Sequence, residues 1–157
     1  MAPRYLTVND LIEAREELYR VFARYGVPTK PTYSLYANIT DSDVQRLRSK
    51  PLRHLSGSDL SKFSMKALST WGDADEFRHY LPRMLDLAAG RPDWTDIPTL
   101  FQKLLDANWR SWPEVEQRAL ERYIAVLWSA TQRGETQASL DDLALGASAV
   151  GLTFPSS

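Results

Sequence analysis

The sequence predicts an all-α protein of about seven helices. Three observations carry that reading. Apolar residues recur at spacings of three and four along successive stretches, so each stretch lays down one buried stripe. Helix punctuation brackets the stretches, with Ser, Thr or Asp and an acid three residues on at the start, and Gly or Pro at the end. No run reads as a strand with an evident partner strand. The expected architecture is one domain over residues 1–157, a compact bundle or a short α-α superhelix, with residues 1–6 and 152–157 as loose tails.

The first helix is expected over residues 7–25. Thr7 caps it, with Asp10 three residues on, and Leu11, Ala14, Leu18, Val21, Phe22 and Tyr25 form its buried stripe. On the outer face Glu16 and Arg20 can pair at i,i+4, an interaction of a few tenths of a kcal/mol. Gly26 and Pro28 end the helix. Residues 27–39 read as a loop held down by Tyr33, Leu35 and Tyr36. Thr40, with Asp43 three residues later, caps a short helix ending near residue 49. Ser56-Gly57-Ser58 reads as a turn, followed by a helix over 58–71 that buries Leu60, Phe63, Ala67, Leu68 and Trp71.

Residues 72–90 are the most organised stretch. Gly72 ends one helix, and Asp73 with Glu76 has the spacing of a capping box for the next. Asp75 and Glu76 also place negative charge at the positive end of the helix dipole. Phe77, Tyr80, Leu81, Met84, Leu85 and Ala88 fall on one face, which leaves Arg78 and His79 off it. Pro82 lacks an N–H and its ring crowds the preceding turn, so a kink or break is expected near Tyr80 and Leu81. Gly90 and Pro92 close the segment.

Beyond a connector carrying Trp94, Thr95 or Asp96 caps the next helix and Pro98 suits its first turn. Ile97, Leu100, Phe101, Leu104, Leu105 and Asn108 give the cleanest helical period in the chain. Residues 109–113 form a tight link, and Ser111 with Glu114 reads as another capping box. The helix that follows runs to about residue 132 on Val115, Ala119, Leu120, Tyr123, Ile124, Leu127 and Ala130. Ser139 and Asp142 open a last helix, which contains Gly146, a residue that weakens an isolated helix by ~1 kcal/mol. Met84-Leu85-Asp86 echoes in Leu104-Leu105-Asp106, so stacked helix pairs resembling HEAT repeats are one way to arrange these elements.

Composition removes several classes of chemistry. The chain carries no cysteine, which excludes disulfides, thiolate catalysis and Cys-ligated zinc. Its net charge of −1 shows no overall basic excess for nucleic acid. The N-terminal residues hold no apolar run of signal-peptide length, and no segment approaches the ~18 apolar residues of a membrane span. A cytoplasmic location is expected. There is no Gly-x-Ser-x-Gly elbow, no Gly-rich phosphate loop and no His-Glu-x-x-His.

The candidate functional residues are Asp73, Asp75, Glu76, Arg78 and His79, with Trp109 and Trp112. A Glu-x-x-His step such as Glu76 to His79 can place two ligands on one metal. Carboxylate-bridged di-metal bundles need a second step, and the other histidine, His54, follows Pro51-Leu52-Arg53 instead. Capping and a histidine–carboxylate pair are therefore the favoured reading, and no metal or cofactor is expected. Trp109 and Trp112 can form a stacking platform, but they flank a tight turn between helices, where core packing is favoured. Arg46, Arg48, Lys50, Arg53 and His54 make the one basic cluster, smaller than a nucleic-acid surface usually is.

Over Gly72-Asp73-x-x-Glu76-Phe77-Arg78-His79-Tyr80-Leu81-Pro82-Arg83-Met84-Leu85-Asp86-Leu87, and again at Trp109-x-x-Trp112-Pro113-x-x-Glu116, the chain resembles a family of small bacterial helical proteins without an established activity. The resemblance covers roughly residues 68–128. It implies an all-α fold and a bacterial source, and it carries over no catalytic residue. With a chemically sparse residue set on capped amphipathic helices, the expected function is a non-catalytic protein–protein interaction module of adaptor or immunity type. The alternative is a small-ligand-binding protein or enzyme using the acidic and histidine cluster at the start of the 73–89 helix.

Overall fold

The computed structural model describes residues 8–27, 38–69, 71–90 and 97–152. Among these residues the chain is all-α: α1 Val8–Phe22, α2 Asp41–Arg48, α3 Gly57–Lys66, α4 Ala74–Gly90, α5 Ile97–Asp106, α6 Glu114–Gln132 and α7 Leu140–Ala149. Two short 3-10 turns, Leu52–His54 and Trp109–Ser111, join neighbouring helices. The expectations for Thr7, Pro28, Tyr33, Leu35, Tyr36, Pro92, Trp94, Thr95 and Asp96 lie outside the described residues.

Local side chains set most of the helix starts. The Thr40 hydroxyl accepts from the Asp43 N–H at 3.1 Å, and the Asp43 carboxylate accepts from the Thr40 N–H at 2.8 Å. Ser56 and Asp59 repeat this exchange at 3.1 and 2.9 Å, so Ser56 is the cap of α3 and the helix begins at Gly57. That helix stops at Lys66, before the predicted residue 71. Leu68 takes a left-handed φ of 68°, and the Trp71 N–H turns back to the Lys66 carbonyl at 3.0 Å. Ala67 and Trp71 stay buried although both lie beyond the helix. Ser111 does not cap α6. Its hydroxyl donates to the Asn108 carbonyl at 2.7 Å, and Pro113 occupies the cap position.

α4 corrects two expectations. It runs unbroken through Pro82, and its buried residues lie on nearly every side: Glu76, Phe77, His79, Tyr80, Leu81, Pro82, Met84 and Leu85. A helix apolar most of the way round belongs in the interior. α4 packs against α1, α3 and the Leu52–His54 turn. Neighbours on several sides hold the helix across the one hydrogen bond that Pro82 cannot make. For the same reason Arg78 and His79 do not stand clear of the packed face.

The largest helix contacts join α1 to α6 and α5 to α7. Pairing the first helix with the sixth makes a bundle, because a solenoid packs each repeat on its sequence neighbour. One apolar cluster takes residues from all seven helices, from Leu18 and Leu47 through Phe63, Leu81, Leu104 and Leu120 to Leu143. Leu152 packs against it, and its N–H reaches the Ala147 carbonyl at 2.8 Å, so residue 152 is not part of a loose tail.

Candidate functional site

Three elements bring their polar side chains together at Tyr25. This residue follows the C-terminal end of α1, Arg78 and His79 come from α4, and Glu116 lies in the first turn of α6. The Glu116 carboxylate is completely buried, at 0% exposure. It accepts the Tyr25 hydroxyl at 2.6 Å and has Arg24 and Arg78 at 3.5 and 3.7 Å. The Arg78 guanidinium sits 4.4 Å from the Trp112 ring and 4.9 Å from the Tyr25 ring, and donates to the Tyr25 hydroxyl. A cation between two aromatic faces gains from both ring quadrupoles.

His79 completes the set. Its Nδ1 lies 2.6 Å from the Tyr25 carbonyl. A carbonyl only accepts, so Nδ1 carries the proton and the neutral ring has a bare Nε2. Burial pushes the His79 pKa below its ordinary value, against the opposing pull of this hydrogen bond. Burial also raises the Tyr25 pKa, helped by Glu116 and opposed by Arg78, so its hydroxyl is protonated at neutral pH.

The predicted cluster is therefore divided. Asp73 caps α4, its carboxylate accepting the Glu76 N–H at 2.9 Å. Asp75 is 74% exposed and only brushes Arg78 at 3.9 Å. Glu76 turns inward and is buried beside Gly72. Arg78 and His79 join the Tyr25 network. Trp109 and Trp112 are both buried, Trp109 beneath the Arg110 guanidinium and Trp112 against Phe22 and Phe77. Among the described residues no group of three or more His, Asp or Glu side chains is placed to hold a metal ion.

Of those candidates His79 lines an open cleft. It has a volume of about 750 Å³ and lies between the C-terminal half of α1, the Leu52–His54 turn and α4. Buried Tyr19, Phe22, His79 and Pro82 form its floor. Arg20, Arg53, His54 and Val27 are exposed along its edge. Arg53 lies 3.9 Å above the Tyr19 ring and grips Glu16 with two hydrogen bonds of 3.0 and 2.6 Å. Glu16 thus pairs across the cleft with Arg53, and not with Arg20 as its spacing predicted. The Tyr19 hydroxyl donates to Asp86 at 2.7 Å, beside Arg83 at 3.0 Å from the same oxygen. Burial, then the Asp86 charge, pushes the Tyr19 pKa up.

The basic cluster is split as well. Lys50 and Arg46 lie 2.9 and 3.9 Å from Asp59, while Arg53 faces Glu16. A second cleft of about 700 Å³, lined by α2 and α3 with Met65 at its edge, takes Arg46.

Sequence reasoning missed Tyr25 as a hub and Glu116 as a buried anion. Tyr25 reads as the last residue of an apolar stripe, and Glu116 figures only in the Trp109-x-x-Trp112-Pro113-x-x-Glu116 pattern. Neither reading contains a signal for their contact. Comparison with protein-family models, curated proteins and solved structures finds no match. No described helix is long and apolar enough to cross a membrane.

Proposed function

We propose that this chain is a cytoplasmic, non-catalytic binding module of adaptor or immunity type, holding one partner protein in the cleft between α1, the Leu52–His54 turn and α4. One observation carries the proposal. The cleft pairs a buried, largely apolar floor with an exposed charged edge, while its reactive groups are bonded inward. The Tyr19 hydroxyl is bound to Asp86, the Tyr25 hydroxyl to Glu116, and the His79 Nδ1 to the Tyr25 carbonyl. Groups held this way shape a surface for binding and offer no activated nucleophile. Nucleic acid is not the proposed partner, because Arg46, Lys50 and Arg53 are each drawn to a carboxylate. Kinship with small bacterial helical proteins belongs to the same proposal and rests on the pattern over residues 72–87.

A second reading has one observation in its favour: both histidines of the chain, His54 and His79, line this cleft. It makes the cleft a small-ligand site.

A photo-crosslinking residue at Val27 or Leu52, compared with one at Met65 beside the second cleft, tests the first reading in cells. One partner protein trapped from positions 27 and 52, and not from 65, is the expected result. Labelling that is equal at all three positions, or absent from 27 and 52, overturns it. Thermal shifts with a metabolite library would then test the second reading.

A further inference from the structure

We infer that the partner segment seated in the α1–α4 cleft is an acidic peptide, with Asp or Glu on either side of an apolar residue. The inference rests on the binding reading above and names the partner's chemistry. The charge on the cleft wall is one-sided. Arg20 and Arg53 line it, with Glu16 the single carboxylate, while His54 adds an exposed imidazole and His79 is neutral. Arg53 and Glu16 neutralise each other through two hydrogen bonds, which leaves Arg20 as the remaining cation of the wall. Arg20 is 72% exposed, with Glu17 3.9 Å away. This basic lining occurs in a chain whose net charge is −1, so it is a local feature and not a reflection of composition.

The apolar half of the peptide follows from the floor. Phe22 and Pro82 are buried beneath the opening, with Leu52 and Val27 at its edges. A cleft of about 750 Å³ falls in the ~300–1,000 Å³ range of pockets that enclose a compact ligand, so it suits a few side chains. An apolar side chain on that floor brings its flanking residues to the edge, level with Arg20 and His54. Opposite charge at such an edge steers encounter and fixes register, and the gain weakens with salt.

The test is panning of a phage-displayed random heptapeptide library over the immobilised full chain, in parallel with two variants. R20E combined with H54E reverses the edge charge at exposed positions. Ala23→Trp fills the cleft from an exposed lining position without changing charge. Circular dichroism and urea unfolding confirm that each variant folds. The expected result is a recovered peptide family rich in Asp and Glu. Its affinity should fall about tenfold or more on edge reversal, be lost on Ala23→Trp, and weaken between 50 and 500 mM salt.

Peptides with no acidic excess that are still lost on Ala23→Trp would overturn the acidic inference and leave the binding reading standing. Acidic peptides whose affinity survives both variants would show attraction elsewhere on the surface, and would overturn the assignment to this cleft. No recovered family at all would overturn both. Light scattering that shows a wild-type dimer, abolished by R20E with H54E, would identify a second copy of this chain as the occupant and overturn the peptide proposal.

Discussion

At Gly146 helix propensity yields to close approach. An added Cβ would lie 2.3 Å from Cδ2 of Phe101 in α5, a ring that is itself buried. Alanine should raise helix propensity by ~1 kcal/mol, yet overpacking a filled site costs ~1–3 kcal/mol. Gly146→Ala is therefore expected to lower the urea midpoint. A midpoint above wild type would show that Phe101 moves aside freely. Deletion at the opposite kind of site has a plainer outcome. Phe77 and Leu104 are both completely buried. Phe77→Ala and Leu104→Ala should each destabilise by ~2–5 kcal/mol in urea unfolding, through lost transfer energy and the cavity left behind. Both positions were legible in the sequence because each lies mid-stripe. Arg78 and His79 were not, because a helical wheel assumes one buried face and α4 is enclosed on nearly every side.

Among the elements, starts were easier to read than ends. A cap is a contact between residues three apart, so Thr40 with Asp43 and Ser139 with Asp142 act at the chain's own spacing, whereas Ser56, expected in a turn, caps α3 with Asp59. The end of α3 depends on Leu68 adopting a left-handed backbone, for which Leu carries no signal. Identical Ser spacing can also mislead. Ser56 caps α3, whereas Ser111 bonds back to Asn108 and leaves α6 uncapped by a side chain. Ser56→Ala should cost ~1 kcal/mol, while Ser111→Ala, away from a helix cap and exposed, should stay within ~0.5 kcal/mol of wild type. Chemical denaturation of the two variants side by side checks the distinction, and equal losses would refute the assignment of caps.

For the whole molecule, acid stability should decline in two stages. Burial holds the His79 pKa below its ordinary value of 6.5. The unfolded chain therefore takes up a proton near pH 6.5 that the folded chain refuses, and stability is lost as pH falls below that point. The second stage belongs to carboxylates, whose linkage has the same sign at lower pH. Hydrogen bonds from Lys62 and from the Thr40 backbone push Asp43 down to about 2, and the Arg53 hydrogen bond lowers Glu16. Their contribution is present above the ordinary values of 3.8 and 4.5 and is lost as pH falls below them. His79→Asn keeps an N–H near the position of Nδ1 without a titrating ring. It should flatten the loss of urea midpoint between pH 7 and pH 5 and leave the steeper loss below pH 4.5. An unchanged slope above pH 5 would remove His79 as its source.

The helices, most of their caps and the stripes that become core are written in contacts of three or four residues, where backbone geometry and side-chain chemistry act without knowledge of the fold. The candidate site is written at another range. His79 meets Tyr25 across 54 positions, Arg53 meets Glu16 across 37, and Tyr25 meets Glu116 across 91. No periodicity encodes such pairs. They exist because α1 packs against both α4 and α6, and burial then obliges each enclosed polar group to find whatever partner that packing has brought within reach.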